Sequence, residues 1–425
     1  MQFPDSLSGC LELLESRHAT QIQLGLERVS RVRDALGVRS DAVVITVGGT
    51  NGKGSTCAML EAILLAAGYR VGCYTSPHLL RYNERVRIDG REVEDRILVD
   101  AFRAVEEARG HTSLTYFEQG TLAAWWVFCR EPLDVVILEV GLGGRLDAVN
   151  AIDPDCAIVT GIAMDHMDWL GDTREKIGLE KAGIFRAGRP AICADPMAPA
   201  TLVDHARAIG AELKLVGQDF GHSGDRTQWA WWSKGGVRRG GLAYPALRGA
   251  NQLLNASAVL MALETLRQRI PVSMQAVRQG LMLVELPGRF QVLPGKPSVV
   301  LDVAHNPQAA GVLSENLSNM GFFPETWAVL GMLADKDVEG VVRLIEDRVD
   351  HWMLVSLPGA RGLSAERLAE RLRSVGVRGD IQLFAEPVEG YEAARQSAGE
   401  GDRIVAFGSF LTVADVLAAA RAARH

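Results

Sequence analysis

Lys53 has the clearest chemical setting in this sequence. It stands in "VVITVGGTNGKGSTCAML" (Val43 to Leu60), where an apolar run enters a glycine-rich turn and leaves through a helical pattern. Glycines permit such a turn and let backbone N–H groups face a ligand. The helix N-terminus adds partial positive charge, and Lys53 reaches terminal phosphates as a point charge. The stretch reads as a phosphate loop. A glycine-rich turn without a ligand is the plainer alternative, and strand, lysine and helix together argue against it. Gly54 follows the lysine, where a serine or threonine normally holds magnesium. Ser55 and Thr56 come next and can cap the helix or bond a phosphate, so they leave the metal question open.

Magnesium takes hard oxygen ligands, and ligands collect at the carboxyl ends of strands in open α/β sheets. Three stretches end apolar runs in this half. Glu139 closes "LDVVILEV", where a carboxylate among apolar neighbours is costly unless paired or metal-bound; backbone bonding or a pair with Arg145 is the alternative. "MDHMDWL" (Met164 to Leu170) crowds Asp165, His166 and Asp168 together, and His166 there can ligate a metal, orient a carboxylate or pack. "YTSPHLLRYNERVRIDG" (Tyr74 to Gly90) begins with Ser76-Pro77 and carries Arg81, Arg85 and Arg87. It reads either as a loop that supplies a hydroxyl and covers a substrate or as a solvated basic loop. Lys181 shares a helical face with Ile177 and Ile184. The residues alone favour a lysine that snorkels to water over one held inside.

The elements that would position these groups alternate. Strands are expected near 42–47, 70–74, 133–140, 156–161 and 189–194, with helices near 53–67, 95–109, 117–130, 173–186 and 198–209. Continuous apolar strands imply a parallel sheet buried on both faces with right-handed crossovers. The segment 218–247 is rich in glycine and short alternations and reads as β-hairpins. Helices follow near 250–269 and 273–284. Strands near 298–303, 326–331, 351–356, 380–384 and 403–407, with helices between, form a second α/β unit of roughly 135 residues, an ordinary domain size. The turn "ELPGRF" (Glu285 to Phe290) marks the boundary, giving domains 1–287 and 288–425.

The 425 residues suit two or three domains. With 48% hydrophobic and 23% charged residues, the composition is that of a soluble globular protein. A formal net charge of −7 argues against a nucleic-acid binder, which usually shows a basic stripe. The six cysteines form no CxxC pair and read as buried thiols of a reducing compartment. The first twenty residues do not read as a signal peptide, and no run approaches the roughly 20 apolar residues of a membrane span. A cytoplasmic protein is expected.

Taken in order, "GTNGKGS", "TSPHLLRYNERV", "TYFEQGTLAA", "LEVGLGGRLDA", "DHMDWLG", "EKAGIF", "LPGRF" and "DVAHNP" resemble the bacterial bifunctional dihydrofolate synthase/folylpolyglutamate synthases of the Mur ligase superfamily, over nearly the whole chain. "GTxGK" alone indicates only a Mur-type ligase; "SPHLLRYNERV" with "GLGGRLDA" is specific to the folate branch. The resemblance implies a P-loop ATPase domain with a parallel sheet, followed by a smaller Rossmann-like α/β domain. It implies ATP-dependent amide formation through an acyl phosphate, with L-glutamate added to 7,8-dihydropteroate and to the terminal glutamate of reduced folates. Gly52, Lys53, Gly54 and Ser55 would hold the phosphates, and Ser76, Glu139 and His166 would ligate magnesium. Lys181 matches a lysine carbamylated by carbon dioxide that helps place a second metal. Asn255, Arg289 and Asp302 match nucleotide-contacting positions, with His305 beside them supporting ATP or glutamate. Thr115, Phe117, Asp147 and Ala148 would form the pterin pocket, although by sequence alone Phe117 reads equally as core. A domain-hinge salt bridge is the alternative for Arg289. Gln308 departs from the histidine common at that position, and 218–247 is not diagnostic. A monomer is the family expectation. The rivals are a monofunctional folylpolyglutamate synthase, another Mur-type ligase and a nucleotide-dependent switch without ligase chemistry.

Overall fold

A computed structural model describes residues 3–17, 23–225, 227–249, 251–377 and 379–423. The chain forms two compact units, Met1–Ala246 with Leu253–Val284, and Leu247–Gln252 with Glu285–His425.

The first unit opens with helices α1 (Leu7–Arg17) and α2 (Glu27–Leu36), strand β1 (Val43–Gly48) and helix α3 (Lys53–Ala66). Then come β2 (Val71–Tyr74), β3 (Val86–Ile88), β4 (Arg91–Glu92), α4 (Asp95–Arg109), α5 (Tyr116–Cys129) and β5 (Val135–Glu139). They are followed by β6 (Cys156–Val159), α6 (Met167–Leu170), α7 (Arg174–Ala182), β7 (Pro190–Cys193), α8 (Ala200–Ile209) and β8 (Glu212–Leu215). Strands β1 to β8 form one sheet in the order β4-β3-β2-β5-β1-β6-β7-β8. The six from β2 to β8 run parallel, and β3 and β4 add an antiparallel edge. Every residue of β1, β5 and β6 is buried, as continuous apolar strands covered on both faces require. The core gathers Tyr74, Phe102, Phe128 and Leu138.

A three-stranded antiparallel sheet, β9 (Phe220–Gly224), β10 (Trp229–Ser233) and β11 (Arg238–Leu242), follows, as the hairpin signals predicted. Trp229 and Trp231 are fully buried. Helices α9 (Gln252–Thr265) and α10 (Met274–Leu283) complete this part.

The second unit contains β12 (Gln291–Leu293), β13 (Ser298–Leu301), α11 (Pro307–Asn319), β14 (Thr326–Leu330), α12 (Val338–Ile345) and β15 (His351–Val355). It ends with α13 (Ala365–Ser374), β16 (Asp380–Phe384), α14 (Pro387–Ser397), β17 (Arg403–Phe407) and α15 (Phe410–Ala422). Its sheet has the order β12-β13-β17-β14-β15-β16, parallel except for β12. Its core centres on Leu330, Trp352, Leu354 and Phe407.

All ten strands and the helices expected from the sequence form, with ends shifted by a few residues. The helix expected over 173–186 stops at Ala182, and Gly183 beyond it packs closely on Arg145, where a Cβ would stand 2.4 Å from that of the arginine. Among the described residues, no helix is long and apolar enough to cross a membrane.

Candidate active site

The loop expected to hold phosphates joins β1 to α3. Gly52 caps the helix with φ 90°, a left-handed conformation that favours glycine. A Cβ at Gly52 would also stand 2.7 Å from Oδ1 of Asn255 on α9, so that asparagine lies directly against the loop. The end of β6 holds the loop in place. Thr160 Oγ1 donates to the Asn51 carbonyl at 2.7 Å, and Thr50 N–H donates to the Gly161 carbonyl at 2.8 Å. The Thr50 hydroxyl bonds the backbone of Ala163. Lys53 folds back, its Nζ donating to the carbonyls of Gly49 at 3.2 Å and Thr50 at 3.3 Å. Gly54 is partly exposed, and Ser55 is buried in the first helical turn.

Ser76 follows β2 and Glu139 ends β5, the strand paired with it. Ser76 N–H donates to Glu139 Oε2 at 2.9 Å, and the Ser76–Pro77 peptide is cis. Glu139 is 4% exposed. The pair with Arg145 entertained for it does not form; Arg145 binds Glu180 at 2.7 Å instead. His166 lies three residues beyond the segment tied to Thr50. It caps α6 with φ 52°, and its Nε2 is 3.9 Å from Asp165 Oδ2. A hydroxyl and a buried carboxylate at the ends of the adjoining strands β2 and β5 are oxygen donors that suit a divalent cation, while His166 follows β6, which β1 separates from β5. A cation also offsets the cost of a carboxylate at that depth.

Lys181 corrects the snorkelling reading. It is 3% exposed, on the buried face of α7 with Ile177 and Gly178. A Cβ at Gly144 would meet Lys181 Cα at 3.0 Å, so the glycine loop after β5 closes over the base of the side chain. Among the described residues its amine has no carboxylate within ion-pair distance. Burial, and then the charge of Lys53, push its pKa down from 10.5 to about 7, against the opposing pull of Asp165 and Asp147.

The same glycine loop shapes the predicted pterin pocket. A Cβ at Gly141 would strike the Phe117 ring at 2.5 Å, and one at Gly143 would meet Leu170 at 2.8 Å. Phe117 lies 6.1 Å from Tyr74. It is only partly buried and sits at the edge of the core. Thr115 is buried, its hydroxyl capping α5 through Glu118 N–H at 3.2 Å. Asp147 accepts from the N–H groups of Leu142 at 2.8 Å and Val149 at 3.0 Å. Desolvation nevertheless raises its carboxyl to about 6. Ala148 begins the short buried helix that Asp147 caps.

In the second unit, Asp302 follows β13 and accepts from Phe290 N–H and Ala304 N–H, both at 2.8 Å. Burial raises its pKa against the pull of Arg289. The Arg289 guanidinium lies 4.8 Å from the Phe410 ring centre. His305 Nδ1 is 2.8 Å from the Val303 carbonyl, and its ring is 6.5 Å from the same phenylalanine. Arg289, Asp302 and His305 thus share one corner of this unit, while the other predicted site residues belong to the first.

Two family models match the chain: the Mur ligase middle domain over residues 47–219 and the Mur ligase, glutamate ligase domain over 288–410. An Escherichia coli (strain K12) protein named dihydrofolate synthase/folylpolyglutamate synthase is 46% identical over 417 residues, 98% of this chain and 96% of its own. The chain belongs to the dihydrofolate synthase/folylpolyglutamate synthase family of Mur ligases. Two solved structures agree. E. coli FolC in complex with DHPP and ADP has a TM-score of 0.94 at 45% identity, covering 100% of both chains. A bifunctional folylpolyglutamate synthase/dihydrofolate synthase with Mn, AMPPNP and L-glutamate bound has a TM-score of 0.91 at 45% identity, covering 99% of this chain and 100% of its own.

The candidate site has supports that sequence reasoning missed. Asp195, 5% exposed, accepts from Ile162 N–H at 2.7 Å and Met197 N–H at 2.8 Å and from Arg174 at 2.9 Å. It ties the segment leading to His166 to the first residue of the Lys181 helix. Its signal was its place after the apolar run 189–194. Arg87 is no solvated basic residue: it pairs with Glu61 at 2.8 Å, with both side chains largely buried. Arg85 donates to His78 Nδ1 at 2.8 Å and lies over the rings of Tyr82 and Tyr116.

Proposed function

We propose that this chain is an ATP-dependent ligase that joins L-glutamate to 7,8-dihydropteroate, forming dihydrofolate, and to the γ-carboxylate of reduced folates. The observation that carries this reading is the near end-to-end match to the E. coli dihydrofolate synthase/folylpolyglutamate synthase, at 46% identity.

A carboxylate is a poor acylating agent at neutral pH. Transfer of the ATP γ-phosphoryl group to it gives an acyl phosphate with a good leaving group. The glutamate amine then attacks the acyl carbon, and inorganic phosphate departs. The chain's part is positioning and charge balance. The loop N–H groups and Lys53 hold the phosphates, Lys53 exchanging two carbonyl bonds for phosphate oxygens. Ser76, Glu139 and His166 hold a divalent cation, which offsets the repulsion between phosphates and carboxylate. Asn255, Arg289 and Asp302 contact the nucleotide, and His305 supports ATP or glutamate. Thr115, Phe117, Asp147 and Ala148 receive the pterin: Phe117 offers a ring face, and Asp147, ionised above pH 6, accepts N–H bonds. An amine with a pKa near 7 is substantially neutral at physiological pH, the form that attacks carbon dioxide. That supports carbamylated Lys181, whose oxygens would help hold a second magnesium ion. The protein works as a cytoplasmic monomer.

The test is glutamate-dependent phosphate release from ATP by the pure protein. Release with dihydropteroate and with tetrahydrofolate is expected. Release with tetrahydrofolate alone would leave a monofunctional synthase, and silence with both would end the folate reading. Lys181→Ala is expected to lose turnover that bicarbonate does not restore; near-normal turnover in that variant would remove the carbamate.

A further inference from the structure

The ion pair between Glu61 and Arg87 is expensive where it stands. Glu61 is on the third turn of the helix that begins at Lys53, and Arg87 is in the middle of β3. Their side chains are 9% and 17% exposed. A buried pair of this kind is often matched or bettered in stability by apolar residues of the same volume, so a role beyond holding the fold has to be sought in its geometry.

The arginine uses its fork on three sides. Nε donates to both Glu61 oxygens at 3.1 and 3.2 Å, and Nη2 donates to Oε2 at 2.8 Å. Nη2 also reaches Cys73 Sγ at 3.3 Å. Nη1 donates to Thr75 Oγ1 at 3.2 Å and to the Glu84 carbonyl at 2.8 Å. Thr75 and Glu84 are the two ends of the loop that carries Ser76. Within it, the Glu84 carboxylate gathers the N–H groups of Leu79, Leu80 and Arg81 at 2.6 to 2.8 Å, making the loop a closed, stiff unit. Its next residue after Thr75, Ser76, donates to Glu139. One guanidinium therefore connects the helix of the phosphate loop to the hinge of the loop that presents Ser76 and orients Glu139.

We infer that Arg87, anchored by Glu61, is a positioning residue that sets Ser76 and Glu139 at the correct height above the phosphate loop for one divalent cation to engage both protein and nucleotide. The inference rests on the assignment of Ser76 and Glu139 as cation ligands under the proposed function. Arg87 directs its N–H groups to Glu61, Cys73, Thr75 and Glu84. It acts through Thr75 and the loop, as hydrogen-bonding partners behind metal ligands do; loss of such partners typically weakens metal affinity about 10–100-fold. A lysine cannot replace it, because a single ammonium cannot span a carboxylate, a hydroxyl and a carbonyl in one plane.

The test uses the full chain and reads Mn2+ binding directly, by electron paramagnetic resonance of the free ion in the presence of ADP. Three variants are compared: Glu61→Met with Arg87→Met together, which removes both charges while keeping volume; Arg87→Lys; and Thr75→Val, which deletes only the hydroxyl. In the double variant, the melting temperature is expected to stay within a few degrees of wild type. Its Mn2+ affinity and its magnesium half-saturation for turnover should worsen roughly tenfold or more, with the KM for dihydropteroate little changed. Thr75→Val should shift both metal readouts in the same direction by a smaller factor, and Arg87→Lys should not rescue them. A folded double variant with wild-type Mn2+ affinity would overturn the inference. If the double variant does not fold, Thr75→Val decides alone, and unchanged Mn2+ binding there overturns it equally. A wild-type chain that binds Mn2+ with ADP yet releases no phosphate with either folate acceptor would count against the ligase reading, while the Mn2+ comparison would still judge Arg87.

Discussion

Lys181 is where residue chemistry and stability conflict most. Its pKa of about 7 in the folded chain lies below the ordinary 10.5. Below pH 7 the amine is protonated folded or unfolded, and the native state carries the full cost of a buried charge. Between 7 and 10.5 the unfolded chain binds the extra proton, so this cost fades as pH rises. Lys181→Met should therefore be more stable than wild type, by on the order of 2–4 kcal/mol at pH 6 and by much less at pH 9.5. Urea denaturation at the two pH values, without bicarbonate, checks this, and an equal difference at both would be the wrong outcome. Asp147 carries the opposite sign: its carboxyl, raised to about 6, gains a proton as pH falls through that value. The KM for dihydropteroate should rise below pH 6 while that for ATP moves less. Gly52→Ala combines a left-handed φ with a Cβ 2.7 Å from Asn255, and should lose ADP binding at least tenfold in a calorimetric titration.

At the scale of elements, Asp195 joins β6, β7 and α7 through three accepted bonds. Asp195→Ala should cost about 2 kcal/mol, below a fully buried pair because Arg174 is partly exposed, and should speed hydrogen exchange in the first turn of α7. The inner strands of both sheets were legible because continuous apolar runs need no partner to be recognised. The parts that were missed lack that signal. Strands β3 and β4 are three and two residues long, and β8 reads Glu-Leu-Lys-Leu at a sheet edge. Helix α2 buries only Val29 and Val32, and α1 a sparse stripe of Leu7, Cys10 and Leu14. The strand–glycine turn–helix around Lys53 and the place of Glu139 at the end of a buried strand were legible from the local pattern. The burial of Lys181 and Arg87 was not, since Gly144 and Glu61, distant in sequence, decide which side of a long cation meets water.

The whole molecule carries a net charge of −7, although its proposed substrates are anions. Attraction must therefore be local, from the loop N–H groups, Lys53 and a bound cation, rather than from the overall field. Ligand binding should then stabilise the fold strongly only when the cation is present. With ADP and magnesium at a hundredfold excess over the dissociation constant, unfolding should become harder by about 2.7 kcal/mol. EDTA should remove most of that gain in a thermal melt, and Lys53→Ala should remove it with the cation present.

The strand order also sets a timetable for the making of this protein. Strand β1 ends at Gly48, but its two neighbours are β5, complete at Glu139, and β6, complete at Val159. At roughly 5–20 residues per second, a ribosome needs several seconds to produce the first neighbour. Throughout that interval β1, buried along its whole length in the finished fold, lacks both of its sheet neighbours. The first strand of this sheet to be made is therefore flanked on both edges only once residue 159 has been added.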